Sequence, residues 1–143
     1  MAVKILIFNL FFILICFSAV SSGKTIFGKA KVIDGDTIHI YKNKIRLHAI
    51  DAPETNQTCN KNNKVWNCGI ESTKFLKKLI GKNKIECITT GKDQYNRFIG
   101  ICYKDNLDLN SEMVLNGWAI AYRYYSKDYV LSLIHISEPT RQP

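Results

Sequence analysis

The alternation of hydrophobic and polar residues predicts two consecutive β-strands in the first half of the chain. In the stretch 37–41, Ile38 and Ile40 fall on one face, with polar residues between them. Lys42-Asn43 then predicts a tight turn. A second half-buried strand follows with the same period, carried by Ile45, Leu47 and Ala49. We therefore expect an antiparallel hairpin with one buried face.

The rest of the pattern predicts a mainly β domain with two helices. Further strands are expected at 24–33, 84–89 and 98–103. Helical spacing of apolar residues predicts a helix at 70–80 that ends at Gly81, and a second at 109–116 with Asn110 as its cap and Gly117 as its stop. The polar stretch 56–67 predicts a loop, and the aromatic-rich stretch 118–125 predicts an extended segment.

The two ends of the 143-residue chain differ from its middle. Residues 1–23 combine Lys4, an apolar run and small residues, which is typical of a secretory signal peptide. A retained membrane anchor is the alternative, but the apolar run is shorter than the roughly 20 residues that a span needs. Residues 132–143 have no helical period, and residues 132–141 read, codon by codon, as a sequencing-library adapter; a natural divergent tail is the alternative. We expect one domain over 24–131, export to the outside or the periplasm, and a non-native tail.

Cysteine content and charge extend this picture. Four cysteines follow the signal segment, and an even number in an exported chain favours disulfides. Three pairings are possible, and we prefer the local ones, which join Cys59 to Cys68 and Cys87 to Cys102. A zinc site is the alternative, but these spacings fit no common zinc pattern. The formal net charge of +8 favours a polyanionic partner without identifying nucleic acid.

Carboxylates mark the open end of the predicted hairpin. Asp36 directly precedes its first strand, and Asp51 follows its second, 15 residues later. Because the two ends of an antiparallel hairpin lie side by side, these carboxylates should face each other. They would repel one another without a cation between them, and their hard oxygens suit calcium or magnesium. Asp34, beside Gly35, is interpreted as a turn residue.

Three motifs in this order resemble the staphylococcal nuclease (thermonuclease) family. They are Asp-Gly-Asp-Thr at 34–37, Arg-Leu-x-x-Ile-Asp-Ala-Pro-Glu at 46–54, and Asp-x-Tyr-x-Arg at 93–97. The resemblance covers residues 24 to 129. It implies an α+β, mainly β fold, a five-stranded OB barrel with flanking helices, whose C-terminal helix would here be missing or replaced. It also implies calcium-dependent hydrolysis of DNA and RNA phosphodiesters.

The resemblance further implies a role for individual residues. Calcium would be held by the carboxylates of Asp36 and Asp51 and by the backbone carbonyl of Ala52. Arg46 and Arg97 would bind the phosphoryl oxygens, and Glu54 would be the general base. Tyr95 and Tyr122 would contact the nucleotide, although Tyr122 could equally be a packing residue. In this family a glycine usually stands where this chain has Asn96, and a lysine of the type member is replaced by Gln94.

Three readings of function remain open from the sequence. The first is a secreted or periplasmic, monomeric nuclease that prefers single strands, has little sequence preference and has no stable membrane association after signal cleavage. The second is a non-catalytic OB module that binds nucleic acid or protein. The third is an inactive fragment of a nuclease, because the last helix of the family would be absent.

Overall fold

The computed structural model describes residues 23–122. The strands are β1 (Thr25–Val32), β2 (Thr37–Ile40), β3 (Asn43–Leu47), β4 (Ile50–Asp51), β5 (Cys59–Lys61), β6 (Lys64–Trp66), β7 (Lys84–Lys92), β8 (Phe98–Lys104), β9 (Leu107–Asp108) and β10 (Ile120–Ala121). The helices are α1 (Cys68–Ile80), which follows β6, and α2 (Leu109–Leu115), which follows β9.

Five strands close into a barrel. β3, β2, β1, β7 and β8 are neighbours in that order, each pair antiparallel, and β8 then pairs with β3 in parallel. This parallel pairing aligns Ile45 with Phe98 and Arg46 with Ile99. The closed mixed barrel with two helices confirms the predicted mainly β, OB-type fold.

The barrel interior is filled by the alternate residues that the sequence pattern indicates. Ile38, Ile40 and Ile45 have no exposed surface, and Leu47 is 1 % exposed. Helices α1 and α2 cover the barrel with Leu76, Ile80, Leu109 and Met113, which are also buried. Burial of an aliphatic side chain of this size contributes about 1.5–3 kcal/mol, so this core is the main source of stability.

The predicted hairpin is confirmed, with a shifted turn. Ile38 pairs with Ile45, but the turn lies at Tyr41 and Lys42, and Asn43 already belongs to β3. Tyr41 adopts a positive φ of 52°. The expected continuation of β3 through Ala49 is wrong, because Ala49 has a φ of 56° and turns the chain into β4. That turn redirects the strand end toward β10.

The predicted loop at 56–67 contains a small hairpin. β5 and β6 pair around Asn62 and Asn63, whose φ angles of 53° and 58° suit a two-residue turn. Both preferred disulfides are confirmed, Cys59–Cys68 at the base of this hairpin and Cys87–Cys102 across β7 and β8. Helix α1 begins at Cys68, two residues before the predicted start.

The predicted cap of α2 is wrong. Asp108 is the cap residue, and its carboxylate accepts a hydrogen bond from Ser111 N. Asn110 is fully buried instead, where its amide oxygen accepts from Cys102 N and its amide nitrogen donates to His48 O. It therefore joins α2 to the barrel wall.

Several expectations fall on residues outside the described range. These are the signal segment, the last three residues of the aromatic stretch (123–125), the missing or replaced last helix and the tail at 132–143. No helix within residues 23–122 combines the length and the apolar character needed to cross a membrane.

Candidate active site

Arg46 joins the two carboxylates that the sequence places at the hairpin end. Its Nη1 lies 2.8 Å from Asp36 Oδ1, and its Nη2 lies 2.7 Å from Asp51 Oδ1. The two acids are therefore within the span of one guanidinium. The carboxylates raise the pKa of Arg46 above its ordinary value, although its partial burial alone would lower it. The guanidinium is thus firmly charged.

Asp36 is a buried carboxylate with a dense set of donors. Its side chain is 3 % exposed. Besides Arg46, Oδ1 accepts from Thr37 Oγ1 at 2.9 Å, and Oδ2 accepts from Ala52 N at 3.0 Å. Burial raises the pKa of Asp36 to about 6, and the hydrogen bond from Ala52 and the charge of Arg46 only partly oppose this. The negative charge of Asp36 is incompletely compensated by the protein.

The strand pairings fix these positions. Thr37 lies opposite Arg46 in the β2–β3 pair, and Leu47 N donates to Asp36 O at 2.7 Å. Asp51 ends β4, where it lies opposite Ile120 of β10. Asp51 is about half exposed, in contrast to Asp36. The site therefore has one buried acid at the barrel wall and one acid facing solvent.

Helix α1 brings the two acidic loops together. A Cβ built on Gly35 would lie 2.1 Å from Ser72 Oγ and 2.7 Å from Ala52 Cβ, so only glycine permits this approach. Thr55 Oγ1 donates to Ile33 O at 3.0 Å and contacts Thr73 Oγ1 at the same distance. These contacts hold the loop before Asp36 and the loop after Asp51 against the same helix.

Glu54 lies in a tight turn that rests on the start of α1. Gln57 N donates to Glu54 O at 2.8 Å, and Glu54 N donates to Gln57 Oε1 at 3.2 Å. Gly69 N donates to Gln57 O, and a Cβ on Gly69 would lie only 1.7 Å from Glu54 O. The backbone of Glu54 is thus held closely, while its side chain is exposed to solvent.

Arg97 is oriented by its own turn. Its Nε lies 2.6 Å from Asp93 Oδ2, and Asp93 Oδ1 accepts from the backbone N of Tyr95 and of Arg97. Burial alone would raise the pKa of Asp93, but these hydrogen bonds lower it below the ordinary value. The contacts of the Arg97 guanidinium within residues 23–122 are with Asp93 and the Tyr95 ring, not with the Asp36–Asp51 pair.

The β3–β8 register places the Arg97 turn beside the start of β3, the strand that carries Arg46. Phe98 lies opposite Ile45, so Arg97 aligns with Lys44, two positions before Arg46 on β3. Tyr95 is 70 % exposed, and the Arg97 guanidinium carbon lies 5.4 Å from its ring centroid. Tyr122 follows β10 and its N donates to Ala49 O at 2.8 Å, which places it near β4. The structure therefore brings Asp36, Arg46 and Asp51 together, whereas the turn that holds Tyr95 and Arg97 lies beside the start of β3 and Tyr122 lies beside the residues between β3 and β4.

The donors present fit a hard divalent cation. Two carboxylates joined by one guanidinium, one of them buried with a raised pKa, offer oxygen ligands and uncompensated negative charge. No cluster of three or more His, Cys, Asp or Glu side chains suited to a metal occurs between residues 23 and 122. A bound ion would therefore complete its shell with backbone oxygen and water, as hard cations commonly do.

Some residues that shape the site are not among the predicted site residues. Gly35, Gly69, Ser72 and Gln57 act through close approach or backbone hydrogen bonds. Gly35 belongs to the Asp-Gly-Asp-Thr motif, Gln57 follows a candidate acid, and Gly69 lies at the start of a helix, so these three could have drawn attention from sequence. The long-range contact that gives each its role is visible only in the fold.

These features define a small OB-barrel protein with an arginine-bridged acidic pair at one barrel end. The model of the staphylococcal nuclease homologue family matches residues 44–138. The chain belongs to this family. The match includes Arg46, Asp51, Glu54 and the Arg97 turn.

The chain is also similar to individual proteins, and two of the three described here have nuclease names. The chain is 35 % identical over 102 residues to the succinoglycan biosynthesis protein ExoI of Rhizobium meliloti, covering 69 % of this chain and 53 % of that protein. It is 35 % identical over 130 residues to an uncharacterized endonuclease of Haemophilus influenzae, covering 87 % and 68 %. It is 30 % identical over 110 residues to a micrococcal nuclease of Shigella flexneri, covering 68 % and 58 %. The match thus spans about half to two thirds of the length of these relatives.

Proposed function

We propose that this protein is a calcium-dependent hydrolase of nucleic-acid phosphodiester bonds, acting on DNA and RNA with low sequence preference. The observation that carries the proposal is the Arg46 bridge between Asp36 and Asp51 at the barrel end. Membership in the nuclease family and the nuclease names of two relatives support it.

The acidic pair would hold the ion. Asp36 and Asp51 would supply carboxylate oxygens and Ala52 its backbone carbonyl, in agreement with the donor chemistry described above. When bound, calcium would neutralise negative charge on the phosphodiester and its transition state. Asp36 must be ionised to serve as a ligand, and its pKa of about 6 leaves it mostly ionised at neutral pH.

The arginines would bind the phosphoryl group. Hydrolysis of a diester gathers negative charge on the phosphoryl oxygens, and a guanidinium can bond two oxygens at once while remaining charged. Arg46 is already held at the barrel end by the two acids. Arg97 directly precedes β8, the strand that pairs with β3, and its ion pair with Asp93 orients its guanidinium. In the proposed complex, the Arg97 side chain would leave Asp93 and join Arg46 on the bound phosphate.

Glu54 would act as the general base. Its carboxylate is exposed and therefore accessible to a water molecule, while its backbone is fixed by Gln57 and Gly69. A base must lie within hydrogen-bond reach of the proton it takes, so a rigid backbone favours this role. Tyr95 and Tyr122 would contact bases or sugars, and stacking on exposed aromatic rings favours single strands without sequence preference.

The two disulfides support a place of action outside the cytoplasm. Cys59–Cys68 and Cys87–Cys102 would persist in an oxidising compartment. We therefore propose secretion or export to the periplasm, with action as a monomer on polymeric substrate.

A hydrolysis assay with the full chain tests the proposal. Single-stranded DNA and RNA are incubated with calcium, with magnesium, or with a chelator, and fragments are resolved on a gel. Cleavage with calcium that the chelator abolishes supports the proposal. Retention of DNA without cleavage would identify a binding module instead, and an unfolded circular dichroism spectrum would identify an inactive fragment. A matched Glu54→Gln variant should keep the fold and lose the cleavage.

A further inference from the structure

Two lysines, one directly before β1 and one at the end of β7, lie over the same aromatic ring beside the Arg97 turn. Lys24 Nζ lies 5.2 Å from the ring centroid of Phe98, and Lys92 Nζ lies 4.7 Å from it. Lys24 directly precedes β1, and Lys92 ends β7, which pairs with β1. We refer to Lys24, Lys92 and Phe98 as the Phe98 lysine patch. Both lysines are exposed.

The positive charge of this patch is not neutralised by nearby acids. Asp93 follows Lys92 directly, but its carboxylate is bonded to the Arg97 side chain and to two backbone N–H groups. Lys92 Nζ instead donates to the neutral side chain of Asn96 at 2.7 Å. Neither Lys24 nor Lys92 belongs to an ion pair within the described part of the chain. Two cations are therefore available to an external anion.

The patch also continues the proposed site along the barrel. Phe98 lies opposite Ile45, the residue before Arg46, and Arg97 precedes Phe98. Asn96, which holds Lys92, has a φ of 60° and belongs to the same turn as Arg97. One turn thus positions both the guanidinium of Arg97 and the ammonium of Lys92. The exposed ring of Tyr95 lies in this turn as well.

We propose that the Phe98 lysine patch is a phosphate-binding subsite for a single nucleic-acid strand, outside the position of hydrolysis. The proposal extends the nuclease function above and depends on it for the identity of the ligand. Ammonium groups bind phosphates as point charges, without the geometric demands of arginine. A row of cations beside an exposed aromatic ring is the combination that binds single strands without sequence preference. The patch would therefore contribute affinity for longer strands.

Binding measurements with a charge-matched control test this proposal. The affinity of a fluorescent single-stranded oligonucleotide is measured by anisotropy in chelator, at several salt concentrations, with the intact strand verified on a gel. The variant K24M/K92M removes the patch charges. The control K29M/K84M removes two lysines that face each other at the opposite end of the same strand pair, one of which also lies over a ring, that of Phe27.

We expect K24M/K92M to weaken binding by about five- to tenfold at low salt. The slope of log affinity against log salt should fall by about 1.4, since each phosphate contact on a single strand contributes about 0.7. The control should change affinity less than twofold. Equal weakening by both variants would show a general charge effect and would overturn the subsite. The subsite would also be overturned if K24M/K92M lost binding to polyglutamate while its oligonucleotide binding stayed unchanged. That result would indicate an acidic protein partner.

Kinetics separate this inference from the proposed function. With a long strand as substrate, K24M/K92M should raise KM, while a dinucleotide-sized substrate should be cleaved with wild-type KM and kcat. If the K24M/K92M variant is active and its KM for long strands is unchanged, the subsite is rejected and the nuclease function stands. A chain that cleaves nothing, yet loses oligonucleotide binding only in K24M/K92M, would reject the nuclease function and leave the subsite.

Discussion

The guanidinium of Arg46 lies 2.8 Å from the buried carboxylate of Asp36, and this contact unites the metal and phosphate functions that we propose. Arg46 compensates part of the buried negative charge and at the same time presents a cation at the barrel end. Its second nitrogen bonds the more exposed Asp51. In the absence of substrate, the arginine is held in place by the acids rather than by solvent.

Replacing Arg46 by lysine should reduce hydrolysis almost as severely as replacing it by alanine. Lysine keeps the charge but cannot bond two acids, or two phosphoryl oxygens, with one planar group. We expect a loss of on the order of a hundredfold or more in kcat/KM for both Arg46→Lys and Arg46→Ala. Lys42→Ala, which removes an exposed cation from the hairpin turn, is the control and should retain activity. Wild-type rates in Arg46→Lys would exclude bidentate binding.

Replacing Gly69 by alanine should reduce activity through Glu54. The new Cβ would lie 1.7 Å from Glu54 O, so the turn that carries Glu54 must move. We expect at least a tenfold lower kcat, with calcium affinity close to that of the wild type, because a displaced base loses its reach to water. Gly91→Ala is the matched control, since a Cβ there meets nothing within 4 Å. If both variants cleave at the same rate, the position of Glu54 does not limit hydrolysis.

The free energy of unfolding of the calcium-free protein should depend on pH through the ionisation of Asp36. Its pKa of about 6 in the folded state exceeds the ordinary value of 3.8, so the native state retains a proton that the unfolded state has already released. The free energy of unfolding should therefore fall as the pH rises from about 4 to about 6. The full penalty above that range is about 3 kcal/mol, from about two pKa units at 1.36 kcal/mol each.

Denaturant unfolding in the presence of a chelator measures this penalty when the wild type is compared with Asp36→Asn at each pH. The amide cannot ionise, so the stability of the wild type relative to Asp36→Asn should decrease between pH 4 and pH 6 and then level off. Calcium should restore stability to the wild type but not to the variant, because only a ligand that binds the folded state stabilises it. Parallel pH curves for the two proteins would show that Asp36 has no raised pKa.

The two disulfides should contribute unequally to stability. Cys59–Cys68 closes a short loop, so the variant Cys59→Ala/Cys68→Ala should lose about 2–3 kcal/mol of the free energy of unfolding through loop entropy. Cys87 and Cys102 are fully buried, so their replacement by alanine should cost more, because packing is lost as well. Denaturant unfolding of the two double variants compares them directly. A smaller loss at Cys87–Cys102 would mean that the core repacks around the missing sulfur atoms.

The barrel could be predicted because local pattern and global fold agree there. Ile38, Ile40 and Ile45 alternate along strands that bury one face, and a period of two residues is legible in sequence. The acidic pair was also predictable, because the two ends of a hairpin lie together whatever the exact turn. The turn itself shifted to Tyr41 and Lys42, since a positive φ at Tyr41 carries no sequence signal.

The supports of the site could not be predicted, because they depend on contacts distant in sequence. Asn110 looked like a helix cap, yet it bonds β8 and the end of β3 from inside the protein. The hairpin after Glu54 and the contact of Gly69 with the Glu54 carbonyl depend on where α1 packs. Arg97 was expected beside the acids, but its guanidinium bonds Asp93 in its own turn.

Calorimetric titration of the full chain with calcium tests the central claim, that Asp36 and Asp51 together form a cation site. The wild type should bind one calcium ion, and Asp51→Asn should lose this binding while its circular dichroism spectrum stays unchanged. Binding by Asp51→Asn with the affinity of the wild type, or no binding by a folded wild type, would contradict the site and the hydrolysis assigned to it.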